Sequence, residues 1–175
     1  VLLNQLFYVS KLETGNMPFH LHTIELSAFI ESYTKGKREL LENEPIEVIA
    51  DTKGITGYVT VDGEQLQRVF DNLLENSRKY AGVTPLQIRI MLERTEKGFS
   101  ICFSDNGVGV AEEKLPYLFD EFYRADESRN QKEGNGLGLY IVKYLIEAMG
   151  GSVRAESTDG LKIFMEIREE RRSGR

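Results

Sequence analysis

The chain has 175 residues, 41% hydrophobic and 29% charged, enough for one full core with room for an appendage. Its net charge of −6 argues against a nucleic-acid binder, which needs a basic face. It does not argue against a phosphorylated small ligand, whose charge backbone N–H groups and a metal ion neutralise. The single cysteine, Cys102, excludes an internal disulfide and fits a reducing compartment. No apolar run approaches the roughly 18 residues of a membrane span. There is no signal peptide, and a start at Val1 without methionine reads as a piece cut from a longer protein.

In chain order, Leu2, Leu6, Val9 and Leu12 repeat at helical spacing and predict a helix over 1–14, stopped by Gly15-Asn16. So short a helix is marginal alone. Its apolar side is expected to face a partner helix outside this chain or, failing that, its own domain. Residues 17–25 read as extended, with His20 and His22 on the surface and too few neighbouring ligands for a metal site. Residues 26–43 read as a helix capped at Ser27 or just before it. Two short strands follow at 46–50 and 58–61, with a turn over 52–57 between them.

The strongest helix covers 62–81. Leu66, Val69, Phe70, Leu73, Leu74 and Ser77 form one stripe, Asp62 is the N-cap, and Gln65 is placed for a capping box. Residues 86–94 and 99–104 read as a hairpin around Glu96-Lys97-Gly98. After a long irregular segment, a glycine-led helix runs to Gly150, with Ile141, Val142, Leu145, Ile146 and Met149 on one face. Residues 152–157 and 161–168 form a last strand pair turning at Asp159-Gly160, and a charged tail follows. The pattern predicts an α+β two-layer sandwich: one mixed, mostly antiparallel sheet with helices on one face. Three parts are expected: a helix end at 1–15, the main domain at 16–170 and a tail at 171–175.

Four stretches could carry chemistry. Asn72, Asn76 and Lys79 stand at i, i+4 and i+7, in a strip roughly 60° wide beside the apolar stripe. Amide oxygens suit Mg²⁺ and an ammonium suits a phosphate, while the same strip also serves as a plain polar shoulder. Asp105-Asn106-Gly107-Val108-Gly109 reads either as a tight turn or as a recognition site. In the second reading Asp105 accepts a hydrogen bond from an exocyclic amine such as that of adenine, and Gly107 and Gly109 admit a flat ring. The stretch of about 25 residues from Gly109 to Gly134 is long for a compact domain and suits a lid. Phe119 and Phe122 would anchor it and Arg124 would reach a terminal phosphate; otherwise it is a short helix with a surface loop. Gly134, Gly136 and Gly138 open a helix, a geometry that suits a phosphate chain or serves as a hinge.

Taken in this order, the four motifs resemble the catalytic, ATP-binding domain of bacterial sensor histidine kinases. That domain belongs to the Bergerat-fold superfamily shared with gyrase, mismatch-repair and chaperone ATPases. The resemblance covers about 19–168, and residues 1–14 resemble the end of the second helix of the dimerisation and phosphotransfer domain. It implies the Bergerat fold, ATP and Mg²⁺ as ligands, and an ATP-dependent protein-histidine kinase in two-component signalling to a response regulator. It implies that Asn76 binds Mg²⁺ with Asn72 in support, and that Lys79 and Tyr80 contact the phosphates and the nucleotide. Asp105 would recognise the adenine amine, with Gly107 and Gly109 shaping the pocket. Phe119 and Phe122 would hold the lid, and Arg124 would stabilise the transferring γ-phosphoryl. Gly134, Gly136, Leu137 and Gly138 would wrap the phosphates with backbone N–H groups. The full-length protein is expected to be a membrane-anchored homodimer. This domain would lie on the cytoplasmic side, touching neither membrane nor nucleic acid.

Some positions depart from the family pattern. Glu121 stands where many members have arginine, and 160–162 lacks the usual Gly-x-Gly-Thr, so that turn is left out of the expected site. The family's acceptor is a histidine followed at once by an acidic residue. His20 precedes Leu21 and His22 precedes Thr23, so the acceptor is expected upstream of this chain. Two other readings stay open: an ATPase of the same fold, and a nucleotide-sensing module without catalysis. An ATPase relative typically carries a glutamate base where Asn72 stands, and asparagine is a poor base.

Overall fold

The computed structural model describes residues 2–125 and 136–169. Gly134, the rest of the run 126–135 and the tail 171–175 therefore lie outside the described residues. The elements are α1 (Leu2–Glu13), β1 (His22–Glu25), α2 (Leu26–Leu40), β2 (Ile46–Asp51), β3 (Tyr58–Val61), α3 (Gly63–Tyr80), β4 (Leu86–Thr95), β5 (Gly98–Asp105), a 3-10 helix (Glu112–Tyr117), α4 (Gly138–Ala148), β6 (Ser152–Ser157) and β7 (Leu161–Arg168). Five strands form the main sheet in the order β2-β4-β5-β7-β6; β1 and β3 form a separate two-stranded sheet. β2 and β4 run parallel, and the other pairs run antiparallel. This is the expected α+β class with a mixed, mostly antiparallel main sheet.

The turn over 52–57 does not join β2 and β3 into a hairpin. Ile46 of β2 lies opposite Leu86 of β4, and Val61 of β3 lies opposite His22 of β1. A parallel pair needs a crossover of a dozen or more residues, and here β3 and α3 form it.

Strand periodicity sets the core. Ile88, Ile90 and Leu92 of β4 and Ile163, Met165 and Ile167 of β7 are buried at every second position, while central β5 is buried on both faces, with Phe99, Ile101 and Phe103 on the helix side. They share one cluster with Leu66, Val69, Phe70 and Leu73 of α3 and Ile141, Val142, Leu145 and Ile146 of α4. The Phe70 ring lies 5.1 Å from that of Tyr33 and 6.2 Å from that of Phe103, which joins α2, α3 and β5. Each such side chain stabilises the fold by about 1.5–3 kcal/mol.

Both long helices start on a carboxylate. Asp62 Oδ1 accepts from the N–H groups of Glu64 (3.0 Å) and Gln65 (3.2 Å), and Oδ2 accepts from His20 N–H at 2.9 Å. Gln65 does not close a capping box; its Oε1 accepts the Tyr8 hydroxyl at 2.6 Å. The cap of α2 is Glu25, not Ser27. Glu25 accepts from Ser27 and Ala28 N–H and also from Gly57 N–H at 3.0 Å, tying the start of α2 to the residue just before β3. Burial pushes the Glu25 carboxyl up, but the N–H donors of Gly57, Ala28 and Ser27 outweigh it and hold the group below its ordinary value.

The α1 helix packs on its own domain by one face. Val9 and Leu12 are buried, and the hydroxyls of Tyr140 and Tyr144 on α4 donate to Glu13 (2.7 Å) and to the Leu12 carbonyl (2.6 Å). Leu3 and Phe7 remain 64% and 61% exposed on the other side. His20 and His22 are both exposed, and only His22 lies on a strand.

Candidate functional site

A cavity of about 530 Å³ opens between α3, the start of α4 and the Asp105 turn. Asn72, Asn76, Lys79, Tyr80 and Ala81 line it along α3, a run of about 13 Å at 1.5 Å per residue. The strip exists because these positions border the buried stripe of Leu66, Val69, Leu73 and Ser77.

Asp105 marks one end. It closes β5 with 8% exposure, and its carboxylate holds three donors. Oδ1 accepts from Gly107 N–H at 2.9 Å and Leu161 N–H at 3.2 Å, and Oδ2 accepts the Ser77 hydroxyl at 2.7 Å. Asn106 fastens the turn to the start of β4, its side chain accepting from Gln87 N–H at 2.8 Å and donating to the Pro85 carbonyl at 3.2 Å. Val108 N–H donates to the Ala81 carbonyl at 2.8 Å, and a Cβ on Gly107 would stand 2.5 Å from Ala81 Cα. Gly109 lines the cavity; Gly107 supports it from behind, against the end of α3.

The turn set aside in the sequence belongs to this end. Gly160 has φ +109°, and a Cβ there would overlap the Asp105 carbonyl oxygen. Only glycine lets the start of β7 approach so closely that the Leu161 N–H reaches the carboxylate. Val108, Val110, Leu139 and Leu161 add apolar wall.

At the other end, Asn72 Nδ2 donates to the Arg68 carbonyl at 2.9 Å. Its Oδ1 lies 3.6 Å from where a Cβ on Gly138 would stand, so this amide oxygen sits at the start of α4. Among the described residues no side chain caps α4, and a helix start in that state suits an anion. Gly136 and Gly138 line the cavity, whereas the Leu137 side chain points into the core and is fully buried. Lys79 lies 3.7 Å from Glu75, which also lines the cavity. Both are partly exposed, so the pair contributes only ~0–1 kcal/mol and parts readily for an anion.

The segment after the 3-10 helix supplies Leu118, Tyr123, Arg124 and Ala125 to the cavity, and Lys114 holds it by donating to the Ala125 carbonyl at 2.6 Å. Phe119 packs on the core. Phe122 does not line the cavity: its side chain is 53% exposed, and its backbone lies against Gly136. Residues without a sequence signal also contribute: Leu2 and Gln5 of α1, and Glu75.

Among the described residues, no group of three or more His, Cys, Asp or Glu side chains could hold a metal ion. The Asn72 and Asn76 amides fit a different arrangement, in which Mg²⁺ keeps waters and takes phosphate oxygens, so that two neutral oxygens suffice.

A buried carboxylate at one end, apolar walls, and a helix start beside the Asn72 amide at the other make up this cavity. Residues 61–171 match the family model of histidine kinase-, DNA gyrase B- and HSP90-like ATPases, and the chain belongs to that family. It is 31% identical over 163 residues to the sensor histidine kinase WalK of Bacillus subtilis, covering 91% of this chain and 26% of that protein. It is 30% identical over 161 residues to the sensor protein kinase WalK of Staphylococcus aureus, again covering 91% and 26%. The chain thus spans about a quarter of these curated relatives. Full-length ShkA in complex with AMPPNP aligns with a TM-score of 0.80 at 21% identity, covering 96% of this chain and 35% of that one. The catalytic domain of histidine kinase ThkA aligns with a TM-score of 0.71 at 22% identity, covering 86% and 97%. These two likenesses show a shared fold.

Proposed function

We propose that the chain is the ATP-binding catalytic domain of a sensor histidine kinase. It transfers the γ-phosphoryl of Mg-ATP to a histidine on a dimerisation domain, from which a response regulator is fed. One observation carries this: a single cavity follows α3 from the Asp105 carboxylate to the meeting of Asn72 with the start of α4. Asp105 accepts the adenine amine, and Val108 and Leu161 flank the ring. Asn76 and Asn72 would hold Mg²⁺ through their amide oxygens. When bound, the ion supplies charge neutralisation across the β- and γ-phosphates. Lys79 leaves Glu75 for a phosphate, Tyr80 contacts the nucleotide, and Gly136 and Gly138 present backbone to the phosphate chain. Arg124 faces the transferring group and draws off its developing charge.

His20 and His22 are exposed but lie outside the acceptor pattern, so the chain binds ATP and does not label itself. Residues 1–15 are the end of the dimerisation helix, and the whole protein is a homodimer anchored in the membrane by segments outside this chain. Among the described residues, no helix is long and apolar enough to cross a membrane.

Calorimetry with Mg-ATP, followed by incubation with γ-labelled ATP and a separate dimerisation domain bearing the acceptor histidine, tests the proposal. Binding with label on the supplied histidine supports it. Absence of binding, label on His20 or His22, or phosphate release without transfer would each overturn it.

A further inference from the structure

We propose that Ser77 is a positioning residue for purine selection: its hydroxyl holds Asp105 so that one remaining acceptor site on the carboxylate meets the base amine. The inference rests on the ATP reading of the cavity and deepens it. A carboxylate offers about four lone-pair sites, two on each oxygen. Both sites on Oδ1 are taken, by the N–H groups of Gly107 and Leu161. Oδ2 accepts only the Ser77 hydroxyl among the described residues, at 2.7 Å, which leaves it one site. The direction of that site follows from where Ser77 stands.

Three features separate this contact from ordinary packing. A serine inside a helix commonly turns its hydroxyl onto the carbonyl four residues earlier. Ser77 instead donates across to a residue 28 positions on, in another element. It is 4% exposed and does not itself line the cavity, so it acts from behind Asp105 rather than on a ligand. The third feature is that the other two donors are backbone groups, fixed by the fold. Ser77 is the one side chain in the set, and therefore the one that substitution can remove without moving the turn. An acceptor held this way favours a base with an amine at that edge over one with hydrogen or a carbonyl there.

The test compares ATP with purine riboside triphosphate, which has hydrogen in place of the adenine amine, for the wild type, Ser77→Ala and Ser77→Thr. The ratio of the two dissociation constants is internal to each variant, so a general loss of affinity cancels. A hydrogen bond to a charged group corresponds to a preference of about 10-fold or more for ATP in the wild type. Ser77→Ala is expected to lose most of that preference by weakening ATP alone, and Ser77→Thr, which keeps the hydroxyl, to restore it. A Ser77→Ala protein that loses both ligands equally, or neither, overturns the inference while the ATP site stands. A wild type that binds neither ligand overturns the site and the inference together.

Discussion

Replacing Asp105 by asparagine changes one atom and reverses one edge of the pocket. The amide oxygen can keep both backbone donors, from Gly107 and Leu161, because they share Oδ1. The NH₂ then takes the place of Oδ2, and the Ser77 hydroxyl must turn from donor to acceptor. The free protein exchanges a charge-assisted bond for a neutral one, at a cost of roughly 1 kcal/mol. In the ATP complex the loss is larger. The adenine amine meets an N–H instead of an acceptor, so a bond of about 1.5–3 kcal/mol disappears and a buried donor is left unpaired at about 1–3 kcal/mol more. The sum corresponds to a loss of about 100-fold or more in ATP affinity. A 6-oxopurine triphosphate, which presents an acceptor at that edge, should lose less or gain. Calorimetry with Mg-ATP and Mg-ITP reads both, with thermal melts to confirm folding. An Asp105→Asn protein that binds ATP as the wild type does, with an unchanged ATP-to-ITP ratio, would refute the assignment of Asp105 to the amine.

Glu25→Gln should lower stability by about 0.5–2 kcal/mol, seen in thermal melts, because one of its oxygens becomes a donor facing the start of α2. Since folding lowers the Glu25 pKa, its contribution is present above the unfolded value and is lost as pH falls through the lower folded value. Wild-type melting temperature should therefore fall more steeply below about pH 4.5 than that of the variant. Gly160→Ala forces a side chain into a positive φ against Asp105, which should cost at least about 1–2 kcal/mol and weaken ATP binding as well. Leu12→Ala should cost about 2–5 kcal/mol and raise hydrogen exchange in α1 while leaving α4 protected.

The parts of the fold written in short-range periodicity were legible. The apolar stripe of α3 and the alternation of β4, β5 and β7 fix which faces are buried, and with them the place of Asn72, Asn76 and Lys79. Pairing was less so: Thr52–Gly57 has the composition of a hairpin turn, yet the partners of β2 and β3 are distant in sequence. Glu25 escaped notice because glutamate is not a preferred N-cap, and only its reach to Gly57 reveals the role. Ser77 read as one more member of a core stripe, and it is one. Its hydroxyl matters because tertiary structure brings Asp105 to it. Gly160 and Leu161 contribute a close approach and a backbone N–H, and the latter leaves no side-chain signature.

The parallel pairing of β2 with β4 has a mechanical consequence. The chain leaves β2, passes through β3 of the two-stranded sheet, builds α3, and returns to β4 about 4.8 Å from β2 in the main sheet. α3 is held at both ends, its start by β3 of the two-stranded sheet and its end by the run into β4 of the main sheet. It cannot slide lengthwise without pulling on both sheets, so the spacing between its two amides and the Asp105 end works as a fixed ruler against which a bound molecule is measured.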